Sequence, residues 1–187
     1  WRDYRNFGCA AFSDDGATWW QAGAMSHLNT SVLRAENLGV VVNGKALLRD
    51  VNLAVGAGEI LALLGANGAG KSSLIAAIAG EVAEHTGRID FDGAPVASYS
   101  LQDIAERRAL NAAEPAVPFA MSVEDYVALG RPFDTPDATA INDALEACHA
   151  VEWSKRDFST LSSGEQMRVQ LARSLYQLGD APNALWL

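Results

Sequence analysis

The stretch LLGANGAGKSSL, residues 63–74, constrains the fold of this chain more than any other. It passes from an apolar run into small residues, presents one lysine and two hydroxyls, and turns apolar again. Gly65, Gly68 and Gly70 carry no Cβ, and Asn67 tolerates positive φ better than most residues, so the spacing predicts unusual backbone geometry at all four. With so little side chain in the loop, its backbone is the working surface. Upstream, EILALLG (59–65) is a short continuous apolar run that predicts a buried parallel strand. Downstream, SSLIAAIAG (72–80) has Leu74, Ile75 and Ile78 at helical spacing. In a strand–loop–helix order the loop amides and the first amides of the helix converge on one point, which attracts an anion with several acceptor oxygens. A polyphosphate fits. Gly65, Gly70, Lys71 and Ser72 meet the pattern G-x-x-x-x-G-K-[ST], which assigns Lys71 to the β- and γ-phosphates and the Ser72 hydroxyl to Mg²⁺. Asn67, Gly68, Ala69 and Ser73 complete the cradle. A plain Gly-rich turn with a solvated lysine is the alternative, and it leaves the strand–helix setting of the motif without a purpose.

The remaining composition narrows the class of protein. At 187 residues and 49% apolar, the chain has enough apolar side chain for a real core. A formal net charge of −9 argues against a nucleic-acid-binding face, and there is no basic stripe to offset it. Cys9 and Cys148 stand far apart without further cysteines, so the sequence suggests neither a disulfide framework nor a C-x-x-C metal site. That pattern fits a reducing compartment. No apolar run approaches the ~20 residues that span a bilayer, and the start has no signal-peptide pattern. The expected location is cytosolic, or peripheral on a membrane protein.

Residues 1–30 read differently from the rest. Trp1, Trp19 and Trp20 are three of the five tryptophans, the segment shows no clear periodicity, and Met25 suits a natural start. The expectation is that 1–24 is a foreign, mis-assigned or poorly ordered extension without function. From Ser31 onward, two β-rich segments, Val32 to Val42 and Ala46 to Val55, flank the turn pair Asn43-Gly44, so an antiparallel sheet precedes the loop. GRIDFDG (87–93) alternates Ile89 and Phe91 with polar residues before the Asp92-Gly93 turn signal, predicting another short strand pair. Helices are expected over Ser100 to Arg108, Ser122 to Gly130 and Asp137 to Val151. The third places Ile141, Ala144, Leu145, Cys148 and Val151 on one face, which makes Cys148 a packing residue.

A second stretch, LSSGEQMRVQLARSLYQL (161–178), sets Met167, Leu171, Leu175 and Leu178 in a helical stripe. Ser162 and Ser163 offer N-caps, and Glu165 complements the helix dipole in the first turn. From these residues alone, an ordinary capped helix and a second anion-binding helix terminus both remain open.

A phosphate loop followed some ninety residues later by LSSGEQ (161–166) before a helix resembles the ATP-binding subunits of ABC transporters, with Leu161, Ser162, Ser163, Gly164, Glu165 and Gln166 as their signature motif. The resemblance covers Val32 to Leu187 and includes GRIDFDG. It implies a P-loop NTPase fold of ABC type: a parallel α/β core, an antiparallel β subdomain, and a helical insertion at about 100–151 where a permease docks. It further implies ATP and Mg²⁺ as cofactors and a homodimer joined head to tail, in which Ser162 and Gly164 of one copy close over ATP held by Lys71 of the other. Integral-membrane permease subunits would be the partners, with the chain peripheral on the cytoplasmic face and not itself inserted. A narrower resemblance, carried by RRALNAAEPAVPFAMSVEDYVALGR (107–131) and RVQLARSLYQLGDAPNALWL (168–187), is to the ATPases of importers for haemin, vitamin B12 and ferric siderophores, nearest to the haemin type.

Four departures from the family stand out. The glutamine that touches Mg²⁺ and couples to the permease falls at Ala113, beside Glu114. An aromatic that stacks on adenine would lie where Val41, Val42 and Asn43 stand. Ser163 replaces a signature glycine. The strand expected at ALWL (184–187) runs, in the family, into an Asp-Glu pair and later a histidine, which would all lie beyond Leu187, and His27, His85 and His149 are not placed to substitute. The expectation is therefore a fragment of a transport ATPase with negligible hydrolysis of its own. The alternatives are a catalytically silent nucleotide-binding or regulatory module, or a soluble ABC protein of translation or repair. Proteins of that last kind usually carry two cassettes.

Overall fold

In two hairpins, the turn pairs singled out from sequence set the strand register. A computed structural model of the chain describes residues 7–12, 19–22, 31–82, 84–111, 117 and 119–187. Asn43 (φ 50) and Gly44 (φ 75) both take positive φ, as do Asp92 (φ 48) and Gly93 (φ 80). That is the backbone of a tight hairpin turn whose twist matches the flanking strands. The first turn joins β3 (Ser31–Val42) to β4 (Lys45–Gly56), and the second joins β6 (His85–Phe91) to β7 (Ala94–Pro95). Together they form a four-stranded antiparallel sheet in the order β4-β3-β6-β7. Leu33 lies opposite both Val55 and Phe91, and Ala35 opposite both Leu53 and Ile89, so alternate residues stack apolar side chains on one face.

β5 (Ile60–Leu64) runs into the phosphate loop and then into α1 (Lys71–Ile78). Leu74, Ala77 and Ile78 of the helix are buried, and the helix lies against β3 and β4. The expected buried strand is a strand, but it is not buried. Ile60 is 65% and Leu64 54% exposed, with the three residues between them half-buried. The reason is its place in its sheet, where it is an end strand among the described residues, with a neighbour on one side alone. Its neighbour is β1 (Phe7–Phe12), parallel to it, and β1 in turn pairs antiparallel with β2 (Trp19–Ala22). Both strands fall within residues 1–24, the segment expected to be a foreign, mis-assigned or poorly ordered extension. Residues 1–6, 13–18 and 23–30 lie outside the described residues, as do Ala113 and Glu114.

Residues 1–101 and 102–187 form two compact units. In the second, α2 (Leu101–Ala105) begins at the boundary and is shorter than expected; it is followed by β8 (Arg108–Ala109), α3 (Val123–Ala128), α4 (Ala138–Ala147), α5 (Ser163–Leu178) and β9 (Leu185–Trp186). The strand anticipated in ALWL is present, parallel to β8, with Leu185 buried and Trp186 partly exposed. The core gathers Val123, Tyr126, Val127, Ile141, Leu145, Trp153, Phe158, Val169, Ala172 and Tyr176. Tyr126 and Phe158 stack with ring centroids 4.0 Å apart. Cys148 packs against this cluster and burial pushes its thiol pKa up, as suits a packing residue. Val151, expected on the same face, is 38% exposed because the helix has already ended at Ala147 and the chain has turned through His149 at positive φ.

The stripe expected on α5 is buried only at its end. Met167 is 44% and Leu175 37% exposed and Leu171 is half-buried, while Leu178 is buried as expected; Val169, Ala172 and Tyr176, outside that stripe, are buried in the core. α3 and α4 pack on the helix along the Val169–Ala172–Tyr176 face. Small Ala172 permits close approach, and Tyr176 donates its ring to the core while its hydroxyl accepts from the Asp137 amide at 3.3 Å.

Candidate functional site: a phosphate loop and a capped helix

Glycine geometry makes the loop. Gly65 (φ 153), Gly68 (φ 82) and Gly70 (φ 97) all occupy positive φ, where a Cβ is disfavoured. Asn67 is not among the described residues with positive φ, so the loop needs only its three glycines there. Lys71 folds back over the loop, its Nζ donating to the carbonyls of Gly65 and Ala66 at 2.7 Å each. The Ala69 amide bonds the Ala66 carbonyl, tightening the turn. Gly65, Asn67, Gly68 and Ser72 are exposed; Ala69, Gly70, Lys71 and Ser73 are half-buried.

The start of α1 carries no side-chain cap. Gly70, at its N-cap position, is left-handed, no acidic residue sits in the first turn, and the first helical hydrogen bond runs from the Leu74 amide to the Gly70 carbonyl. The helix start thus has no side-chain cap and no carboxylate in its first turn to offset its positive end. These residues suit a polyphosphate: an uncapped helix start, the Lys71 ammonium folded over the loop and the exposed Ser72 hydroxyl lie within one short stretch. Among the described residues no group of three or more His, Cys, Asp or Glu could hold a metal ion.

The signature segment is built differently. Ser162 caps α5: its hydroxyl accepts from the Glu165 amide, while the Glu165 carboxylate accepts from the Ser162 amide at 2.7 Å and from its hydroxyl at 2.8 Å. This reciprocal capping box goes beyond the dipole contact expected of Glu165; of the two serines expected as N-caps, Ser162 is the cap and Ser163 is instead the first helical residue. The Ser162 amide, then its hydroxyl, hold the Glu165 carboxyl below the usual carboxylate range, with Arg156 and Arg168 adding to the effect. The Arg156 Nη1 lies 3.9 Å from Glu165 Oε1, a contact no sequence spacing announced. Leu161 is buried, Ser162, Ser163 and Gly164 are exposed, and Gln166 donates from Nε2 to the Phe158 carbonyl at 3.3 Å. One turn earlier, Asp157 accepts from the Ser159 amide at 2.8 Å and fixes the approach to the cap.

Comparison with known proteins spans both segments. The ABC transporter family matches residues 48–180. The hemin import ATP-binding protein HmuV of Bordetella pertussis is 41% identical over 150 residues, covering 78% of this chain and 57% of that protein. The protein of the same name from Pseudomonas fluorescens strain Pf-5 is 42% identical over 151 residues, covering 79% of this chain and 59% of its own length. Among solved structures, cbiO1 from Clostridium perfringens, part of the ABC transporter complex cbiONQ, superposes with a TM-score of 0.70 at 26% identity, over 80% of this chain and 62% of that one. The chain therefore spans a little over half the length of the curated relatives it matches. A phosphate loop of this geometry, a capped helix led by LSSGEQ and a match that runs through both place the chain in the ABC transporter family, whose ATP-binding members hydrolyse ATP.

Proposed function

We propose that this chain is part of the ATP-binding subunit of an importer that takes up haemin or a related iron or corrinoid compound. The observation that carries the nucleotide half of the reading is the uncapped start of α1 beside a three-glycine loop and Lys71. ATP lies with its phosphates along Gly65 to Ser73; Lys71 exchanges its two carbonyl partners for phosphate oxygens, and Ser72 meets the Mg²⁺ that travels with them. Mg²⁺ supplies charge neutralisation at the phosphates. Val41 and Val42, exposed where the resemblance to the family implies an aromatic, leave adenine with less to stack on. The cargo half of the reading is supported by relatives named for hemin import at 38–42% identity.

In this reading two copies pair head to tail, Ser162 and Gly164 of one closing over the nucleotide of the other, and permease subunits couple that closure to transport from the cytoplasmic face. No helix among the described residues is long and apolar enough to cross a membrane. A second reading, a module that binds nucleotide without turning it over, is favoured by Ala113 at the position expected for a metal-touching glutamine.

Titration with a fluorescent ATP analogue in the presence of Mg²⁺ tests the first step. Lys71→Ala is expected to weaken binding about ten- to hundredfold, the cost of a charge-assisted contact. Equal affinity in the variant would remove Lys71 from the site. Turnover by these 187 residues alone is expected to be negligible, and robust phosphate release would overturn that expectation and the silent module alike.

A further inference from the structure

The phosphate loop hangs between two supports of different kinds. Downstream, α1 is fixed by burial of Leu74, Ala77 and Ile78. Upstream, β5 has no such anchorage, since Ile60 and Leu64 are mostly exposed and the residues between them only half-buried. What holds β5 among the described residues is a ladder, with Phe7, Gly8, Cys9, Ala10 and Ala11 opposite Ile60, Leu61, Ala62, Leu63 and Leu64 in parallel register. The final pair, Ala11 with Leu64, sits immediately before Gly65, where the loop begins. Short parallel pairing is weak by itself, and a two-stranded ribbon is marginal in water. Here β1 is braced on its other edge by β2, with Cys9, Ala10, Ala11 and Phe12 opposite Ala22, Gln21, Trp20 and Trp19, which makes three strands.

We propose that the strand Phe7–Phe12, steadied by Trp19–Ala22, is a positioning element of the nucleotide site: its ladder holds β5, and β5 fixes where the loop amides point. The inference rests on the nucleotide-binding reading for its functional consequence and on the β1–β5 ladder alone for its structural one. A phosphate cradle needs its donors held to within roughly half an ångström, so a strand free to fray at Leu64 would blur the loop that follows it. β1 is the middle strand of its sheet, and a proline within it therefore removes a ladder bond to one neighbour or the other.

Two measurements on the full chain test this. Hydrogen exchange on the unmodified protein is expected to show slow amides in both 8–11 and 61–64; fast exchange across 8–11 overturns the proposal whatever any variant does. Ala10→Pro is then expected to release the 61–64 amides and to weaken binding of the fluorescent ATP analogue by about tenfold or more, while the helical circular dichroism is kept. Unchanged affinity in Ala10→Pro overturns the proposal. If the unmodified chain binds no nucleotide, the nucleotide-binding reading fails, and the ladder is still decided by exchange at 61–64. If Ala10→Pro does not fold, exchange on the unmodified protein decides alone.

Discussion

Gly87 shows how a single residue can be dictated by its neighbour's backbone. It sits at φ 82 against the carbonyls of Glu36 and Asn37, where β3 bulges and Asn37 itself takes positive φ. A Cβ at Gly87 would collide with backbone that cannot swing aside, and Gly87→Ala should cost about 2 kcal/mol or more, read as a lower midpoint in urea unfolding. Glu165 carries a different kind of dependence. Its carboxyl is lowered in the folded chain, so its stabilisation is complete above the unfolded carboxylate value of about 4.3 and is lost as pH falls through the folded value. Amides at the start of α5 should therefore lose exchange protection only in acid, and Glu165→Gln should flatten that response. Asp157, lowered by its bonds from Ser159, contributes in the same direction and keeps a residual slope in the variant.

At the scale of the element, α5 separates what a helix wants locally from where the core happens to be. Its cap was legible because Ser162 and Glu165 act within one turn. Its buried face was not, because Met167, Leu171 and Leu175 make as good a stripe in sequence as Val169, Ala172 and Tyr176, and only α3 and α4 decide between them. Stability measurements should reproduce the observed face. Phe158→Ala, which empties the ring stacked on Tyr126, should cost about 3 to 5 kcal/mol, Ser162→Ala about 1 kcal/mol through the lost cap, and Met167→Ala within about 0.5 kcal/mol. The hairpins around Asn43-Gly44 and Asp92-Gly93 were legible for the same local reason as the cap. β5 was only half legible: its apolar run gave a strand, but burial depends on how many neighbours a strand has, and sequence alone does not count them.

For the whole molecule, the net charge of −9 sets what approaches it from afar, whereas the loop sets what stays. Duplex DNA should give no mobility shift with this chain at ~0.15 M salt, because few phosphates could be neutralised by so acidic a surface. A shift at micromolar protein would reveal a basic face that composition hides. The family and the phosphate loop were readable from two short motifs because each needs specific residues at fixed spacing. The partner of β5 was not, since β1 carries neither a turn pair nor a motif, and its pairing is a relation between distant segments.

That relation bears on how the chain assembles. The hairpin turns close over two residues, but the ladder from Phe7 to Ile60 closes only after about fifty residues have been gathered in. Contacts so far apart in sequence form late, after local pairings have repaid the entropy of drawing the chain together. The strand that bears the phosphate loop then receives its neighbour among the final events of folding. A polyphosphate captured there would act as a clasp on the completed fold, slowing its unfolding more than it hastens its formation.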